Sequence, residues 1–516
     1  MGTVVTEAMR GRLALFSILL VAAASGLLGI DFGHHWDETE RIATAILAVE
    51  RGELVSNWYQ YPSAVHDLIL LSAAPDVAEH SLIPALTRAE PTLPAFRAAL
   101  QSHEFLLRVR RLFLSLSLLG AVPLYAMVRR WRDSAFEGVT AAGLFALSWE
   151  IAYHARWIAP DVLTASCAAV VIWAVHRSLG DRRPRWLAMA GVAAGAACSA
   201  KYPSGLLLLP VAVAAAHAVV RHRARVRVAL GASLGAFVTA YLVITPGTVL
   251  QYRQFLWDVR VEITHYHTGH GGHTIAAGLP HLRAELEYLG LVAFSHHPLI
   301  AGIFFVLALL GAGWVVRRDR WMALAILPFA VAYPVYMGSQ RVMLVRNLLV
   351  VVPFLAVLAA RGAGVCRAAA ARRRWGPAGV MGVVGALLAV NAAWLVTAAR
   401  SIREGNDPER ELLDALSAPG ASPCVVTPGL RAALAKRAPA LPASVVPAGA
   451  EGARWIAFRA SEVRNRAAWV ANRRDSTIRW FGPHEVNFNY YPSWVGKDRI
   501  VLMRIEDAAP LDVPVQ

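Results

Sequence analysis

Long apolar runs alternate along this chain with short connectors crowded with arginine, a pattern that outside a bilayer would leave far too much apolar surface in water. A helix needs about 20 apolar residues to cross the hydrocarbon core. By that rule the chain carries about eleven spans, at 11–30, 106–128, 135–153, 160–177, 187–200, 203–220, 227–245, 293–316, 320–337, 345–362 and 376–399. The fifth is short. Arginine clusters at Arg129-Arg130-Trp131-Arg132, at Arg182, Arg183 and Arg185, and at Arg221, Arg223, Arg225 and Arg227. It clusters again at Arg317, Arg318 and Arg320, and at Arg372-Arg373-Arg374. Every second connector belongs to this set. Basic loops stay on the cytoplasmic side, so 31–105, 154–159, 201–202, 246–292, 338–344 and the tail from about 400 are expected outside. Residues 11–30 also admit a signal-peptide reading, because Ala22-Ala23-Ala24 resembles a cleavage site. The downstream orientation is then the same.

The expected architecture is an all-α polytopic membrane region over 1–400, with long external loops at 31–105 and 246–292, followed by a small soluble α/β domain over 401–516. Short β-like runs at Cys424–Thr427, Trp455–Phe458 and Arg499–Ile505 carry the tail reading. Only 17% of the 516 residues are charged and 56% are hydrophobic, against about 25% charged in soluble domains. The net charge of +16 lies mostly between the apolar runs, where it sets topology and meets anionic headgroups; that argues against a nucleic-acid partner. The four cysteines have no metal or disulfide spacing.

Charged residues gather on the external side. Asp37-Glu38 follows the first span. A carboxylate shielded from water on one side gains basicity and suits general-base work, although an acidic pair also favours a helix N-terminus. Trp58, Tyr59 and Tyr61 lie in the same loop and could anchor at the interface or stack on a sugar. Arg156 sits in the second external loop, and Asp161 opens the next span, where ordinary capping is the simpler reading. Lys201-Tyr202 lies between two apolar runs, and Lys201 is one of only three lysines. A lysine there either snorkels or answers an anionic ligand such as a phosphate. Arg341 and Arg346 bring positive charge to the outer end of the tenth span, against the orientation rule. His265, His267, His270 and His273 crowd a glycine-containing loop. They could hydrogen-bond substrate or hold a divalent metal, but their spacing fits no zinc signature.

These residues together resemble bacterial relatives of protein O-mannosyltransferases and lipid A aminoarabinose transferases, which are polyprenyl-phosphate-sugar-dependent glycosyltransferases of the C-type membrane fold. The likeness covers residues 10 to about 400. It rests on Trp36-Asp37-Glu38, Tyr61-Pro62-Ser63, Arg156 with Asp161, Ala200-Lys201-Tyr202, and Arg341 through Pro353. Val342 stands where the family often has an aromatic, which leaves the division of roles between Arg341 and Arg346 open. The resemblance implies an inverting transfer from a polyprenyl-phosphate sugar to a hydroxyl on a protein, lipid or glycan, at the outer face of a bacterial inner membrane and without a required cofactor. Asp37 would take the acceptor's proton and Glu38 would support it. Lys201 and Arg346, helped by Arg341, would stabilise the departing phosphate. Arg156 and Asp161 would orient sugar or acceptor, with Tyr61, Tyr202, His265 and His270 as further substrate contacts.

Two other classes share parts of this pattern. A transporter or flippase of a lipid-linked sugar would place polar groups at mid-bilayer, whereas these spans are nearly free of them. A non-catalytic scaffold would give the acidic and basic groups no reason to share one face.

Overall fold

A stretch that must satisfy its own backbone polar groups inside lipid has to be helical, and helices dominate the chain. The computed structural model describes residues 2–32, 36–82, 93–270, 273–373, 376–404, 408–438, 440–447, 449–459, 462–463, 478–481 and 500–513. Arg374 and Arg499, which entered the sequence reading, lie outside them. The described residues fall into two compact units. One holds those of Met1–Ile30 and Asp37–Thr397, the other those of Asp31–Trp36, Ala398–Asn487 and Pro492–Gln516.

In the first unit, nine helices among the described residues are long and apolar enough to span. They are Glu7–Leu28, His103–Arg132, Pro160–Gly180, Tyr202–His222, Val226–Ile244, Pro298–Arg318, Arg320–Gly338, Val345–Ala369 and Gly376–Arg400. Each coincides with an expected span. The two other expected spans are built differently. The run at 135–153 breaks into helices Ala135–Ala146 and Trp149–His154. At the break, the Ser148 hydroxyl accepts from the Ile151 amide and donates to the Ala293 carbonyl at 2.7 Å. A hydroxyl that caps a new helix start is a strong local stop, and it is invisible to a hydropathy count.

The run at 187–200 forms the 16-residue helix Arg185–Ala200, about 24 Å long at 1.5 Å per residue. It is made mostly of small residues, and its Gly191 and Gly195 lie four apart on one face. A Cβ at Gly191 would overlap the Ser233 carbonyl oxygen, and one at Gly195 would overlap that of Phe237. The helix therefore packs backbone to backbone on the 226–244 span, the packing mode small residues permit in membranes. This packing fixes the helix whose C-terminal end presents Lys201.

The second unit is a five-stranded mixed sheet of order β2-β1-β3-β5-β4. Its strands are β1 (Cys424–Val426), β2 (Val445–Val446), β3 (Trp455–Arg459), β4 (Arg479–Phe481) and β5 (Ile500–Arg504). β1 runs parallel to β2 and β3, and β5 runs antiparallel to β3 and β4. Alternate β3 residues face opposite ways. Ala457 joins Leu412, Leu416, Leu430 and Leu434 from helices Pro408–Ser417 and Pro428–Arg437, while Ile456 and Phe458 pack with Val501 and Met503. Three strands match the expected runs. β2 and β4, with two and three residues, are too short to leave a periodic signature.

The glycine contact makes a test. Gly195→Leu should force the helix pair apart and cost about 1–3 kcal/mol. The expected readout is a lower thermal midpoint of the detergent-solubilised protein, together with weaker binding of any ligand that needs Lys201. An unchanged midpoint would mean that the two backbones do not meet as described.

Candidate active site

Consecutive helical residues point about 100° apart, and that geometry separates the two carboxylates that open helix Trp36–Glu50. Asp37 turns toward Arg346, whose Nη1 lies 2.9 Å from its Oδ2, and toward Arg41 one turn on, at 3.6 Å. Glu38 turns the other way and is fully buried. Its Oε1 accepts from Arg110 Nε at 3.1 Å and from the Ile158 amide at 3.2 Å, and its Oε2 accepts from Arg110 Nη2 at 2.5 Å. Arg110 also donates to the Ile30 carbonyl at 3.0 Å. Both Glu38 oxygens are thus engaged in tying the start of this helix to helix His103–Leu118 and to the loop before Pro160.

Arg346 lies in the buried 3-10 turn Val345–Val351. Besides Asp37 it approaches Asp161, with Nε 3.8 Å from Oδ2, and it lies 5.9 Å from the centre of the Trp157 ring. Asp161 follows Pro160 at the start of its helix, but its carboxylate reaches across to Lys201 rather than capping. Lys201 Nζ donates to Asp161 Oδ1 at 2.6 Å and to Asn347 Oδ1 at 2.5 Å. Lys201 reaches them because the chain breaks there. Helix Arg185–Ala200 ends, Lys201 is extended at φ −155° and ψ 120°, and the 3-10 turn Tyr202–Leu207 begins, with Pro203 in its first turn. Asn347 Nδ2 in turn donates to the Tyr266 hydroxyl at 3.2 Å. Asp37, Arg346, Asp161, Lys201, Asn347 and Tyr266 therefore form one continuous polar chain drawn from five parts of the sequence. Burial pushes the Lys201 pKa down, and the Asp161 carboxylate opposes that shift.

The remaining expected residues fall around this chain. Tyr61 lies under the Arg41 guanidinium, 4.5 Å from ring centre to Cζ, and stands 5.8 Å from the Trp58 ring. Burial raises its phenol pKa, with the Arg346 charge opposing. The Tyr202 hydroxyl donates to the Tyr59 carbonyl at 2.8 Å, so its contact seen here is with the loop after Glu53. Arg156 is fully buried, donates to the Gly29 carbonyl at 3.3 Å and lies 5.7 Å from the Trp149 ring centre. Burial lowers its pKa to about 10. His154 beside it is held neutral, its pKa pushed by burial to about 4. Arg341 is exposed, and its backbone pairs with 266 and 275 while Val342 bridges Thr274. Of the two arginines left open by the sequence, Arg346 enters the charged chain.

The His265 and His270 rings lie 5.1 Å apart, and His270 stacks on His273 at 5.7 Å. Gly271 and Gly272 between them lie outside the described residues. Among the described residues no group of three His, Cys, Asp or Glu side chains could hold a metal ion. The histidine run therefore gives no geometry for the divalent ion that its density invited.

Sequence reading missed Arg41, Arg110, Asn347 and Tyr266. Some signals were there. Arg41 is four residues beyond Asp37, and Arg110 is a charge inside an expected span, which calls for a partner.

Residues 98–247 match the family described as dolichyl-phosphate-mannose-protein mannosyltransferase. That segment contains Arg110, Arg156, Asp161, Lys201 and Tyr202. The structure of ArnT from Cupriavidus metallidurans bound to undecaprenyl phosphate is similar in fold, with a TM-score of 0.51, 15% identity, and coverage of 97% of this chain and 98% of that one. The apo form of the same protein gives a TM-score of 0.50 and 15% identity over 98% and 100% of the two chains. None of the curated proteins matches the chain. The resemblance drawn from local motifs, to C-type membrane glycosyltransferases that use polyprenyl-phosphate sugars, is thus met by a family match and by the fold.

The two adjacent carboxylates should separate by experiment. Removing one partner of a buried ion pair costs about 3–5 kcal/mol, so Glu38→Gln and Arg110→Met should lower the thermal midpoint sharply. Asp37→Asn, at a partly exposed position, should leave it near that of the parent. Equal losses for Asp37 and Glu38 variants would contradict the division described.

Proposed function

We propose that the protein is an inverting glycosyltransferase that moves a sugar from a polyprenyl-phosphate donor to an acceptor hydroxyl at the outer surface of the membrane. The observation that carries this reading is the buried chain Asp37–Arg346–Asp161–Lys201. It sets one partly exposed carboxylate beside two cations that Asp161 and Asn347 hold in place. The similarity to ArnT, solved with undecaprenyl phosphate, supports a lipid phosphate as the group those cations meet.

The chemistry needs a base and an anion site. Asp37 takes the proton from the acceptor hydroxyl as its oxygen attacks the anomeric carbon from the face opposite the phosphate. The bond from anomeric carbon to phosphate oxygen breaks, and its electron pair leaves with the polyprenyl phosphate. The leaving group gains negative charge, so fixed cations lower the barrier without a proton donor. Lys201 and Arg346 are those cations, and Arg341 is too exposed to rank with them. Asp161 holds both in position, Arg156 shapes the adjoining wall, and Glu38 positions Asp37 through the helix they share. Tyr61, Tyr202, His265 and His270 would line the approaches for sugar and acceptor. The arginine-rich connectors, which favour the cytoplasmic side, support an extracytoplasmic position for this site. The polyprenyl tail stays in the bilayer while its phosphate rests at headgroup level, where span ends meet.

The test uses purified protein, a polyprenyl-phosphate sugar and its acceptor, with release of polyprenyl phosphate as the readout. Asp37→Asn and Lys201→Ala should each reduce kcat by about 100-fold or more. Full activity in the Asp37 variant would remove the base assignment, and full activity in both would remove the site. Movement of the intact lipid-linked sugar across the bilayer without transfer would instead favour a flippase.

A further inference from the structure

Arg41 and Thr44 follow Asp37 at one and two turns along helix Trp36–Glu50, so all three share one side of it. The segment from Ser56 into the first turn of helix Ala64–Ser72 packs beside them. Between the two lies a half-open cleft, with Arg41, Thr44, Ser56, Trp58, Tyr61 and His66 in its wall. The Ser56 hydroxyl donates to the Trp58 carbonyl at 2.9 Å. The Trp58 and Tyr61 rings stand 5.8 Å apart, tilted by 41°.

Two buried polar side chains reach this cleft with hydrogen-bonding capacity to spare. Arg41 is 5% exposed and His66 7%. Arg41 Nη2 lies 3.6 Å from Asp37. Its Nε and Nη1, like both ring nitrogens of His66, have no hydrogen-bond partner among the described residues. The Leu54 carbonyl approaches His66 outside hydrogen-bonding geometry. Burial lowers the His66 pKa, so the ring is neutral, with one nitrogen a donor and the other an acceptor. Polar groups this deeply buried are costly to leave unpaired, and four such nitrogens around one cleft mark a place that a ligand completes.

We propose that this cleft is the acceptor subsite and that the acceptor presents to it an uncharged sugar ring. The proposal rests on the transferase reading above. Lys201 and Arg346, the cations assigned to the leaving phosphate, are not part of the wall, so the cleft suits the partner that brings no phosphate. It meets the charged chain at Arg41, which spans from the Asp37 carboxylate to the free donors. A ring held on those donors brings a further hydroxyl toward the base. The free groups also select the ligand. A lone serine or threonine hydroxyl could meet only one or two of the four nitrogens, whereas the hydroxyls around a sugar ring donate and accept in several directions. The half-buried Trp58 ring, with Tyr61 beside it, offers an apolar surface to the C–H face of that ring. The wall carries one fixed cation and no carboxylate, so a sugar bearing an ammonium group would meet like charge there.

The first test needs no turnover. Full-length protein in phosphatidylcholine nanodiscs, free of glycoside detergent, is mixed with methyl mannopyranoside, methyl glucopyranoside or methyl glucosaminide at mildly acidic pH, where the amine is charged. Saturation-transfer NMR reads binding. At least one neutral glycoside should take up saturation from the parent, and the amino sugar should bind about tenfold more weakly. His66→Leu and Trp58→Ala should each weaken the neutral sugar about fivefold or more, while His66→Gln, which keeps a donor and an acceptor, should retain part of the binding. Melting curves matching that of the parent guard against a folding defect. In the transfer assay His66→Leu should raise the acceptor KM about tenfold and leave the donor KM unchanged. Neutral-sugar signals that are absent in the parent, or equal in the parent and both variants, mean that the cleft holds water only and overturn the proposal. Tighter binding of the amino sugar, or a rise in donor KM instead of acceptor KM, overturns it as well. Each of these results leaves the transferase reading intact, whereas absence of transfer by the parent with any polyprenyl-phosphate sugar overturns that reading itself.

Discussion

Burying a cation costs several kcal/mol unless a carboxylate answers it, and Arg346 is answered twice, by Asp37 and by Asp161. Because Asp161 also holds Lys201, both cations depend on it, and its loss would strand them together. That shared dependence ties four membrane-facing segments to one level. The helix after the first span, the start of Pro160–Gly180, the break at Lys201 and the 3-10 turn at Val345–Val351 all end on the same few ångströms because their charges have nowhere else to go.

The Asp37-Glu38 pair shows how one local pattern serves two purposes. Adjacent positions on a helix cannot face the same partner, and here one carboxylate is consumed in a fully buried bidentate pair with Arg110 while the other stays partly exposed among cations. The buried pair fixes the helix start, and the helix start aims Asp37. A residue that holds another in place this firmly contributes to chemistry only through geometry.

Much of the membrane architecture could be read from sequence because lipid leaves few choices: apolar length and arginine placement are direct consequences of the solvent. Asp37, Asp161, Lys201 and Arg346 were legible for the same reason, as charges at span ends without an apparent use. The rest depended on long-range pairing. Glu38 meets Arg110, 72 residues away, and nothing at position 38 announces it. The choice between Arg341 and Arg346 turned on a strand-like bridge at Thr274–Val342 that leaves Arg341 facing outward. The broken helix at Ser148 and the short helix ending at Ala200 each follow from one side chain or one glycine face, and window averages smooth such features away. The histidine run, whose spacing fitted no zinc signature, forms no metal-binding constellation among the described residues.

Charge balance also argues for the kind of ligand the site receives. Arg41, Arg346 and Lys201 face two tightly held carboxylates, Asp37 and Asp161. Glu262 can make up the difference only when it is ionised, above about pH 7. With Glu262 ionised the three cations are matched by three carboxylates, and a singly charged phosphodiester is then the smallest added charge the site can meet. The site meets a doubly charged phosphate best if one proton arrives with the second charge. Cleavage of a lipid-phosphate sugar produces that pair of events together, a phosphate with one more negative charge and a proton from the acceptor. On the transferase reading, a titratable carboxylate beside fixed cations would keep the total charge of the site nearly constant from substrate to product.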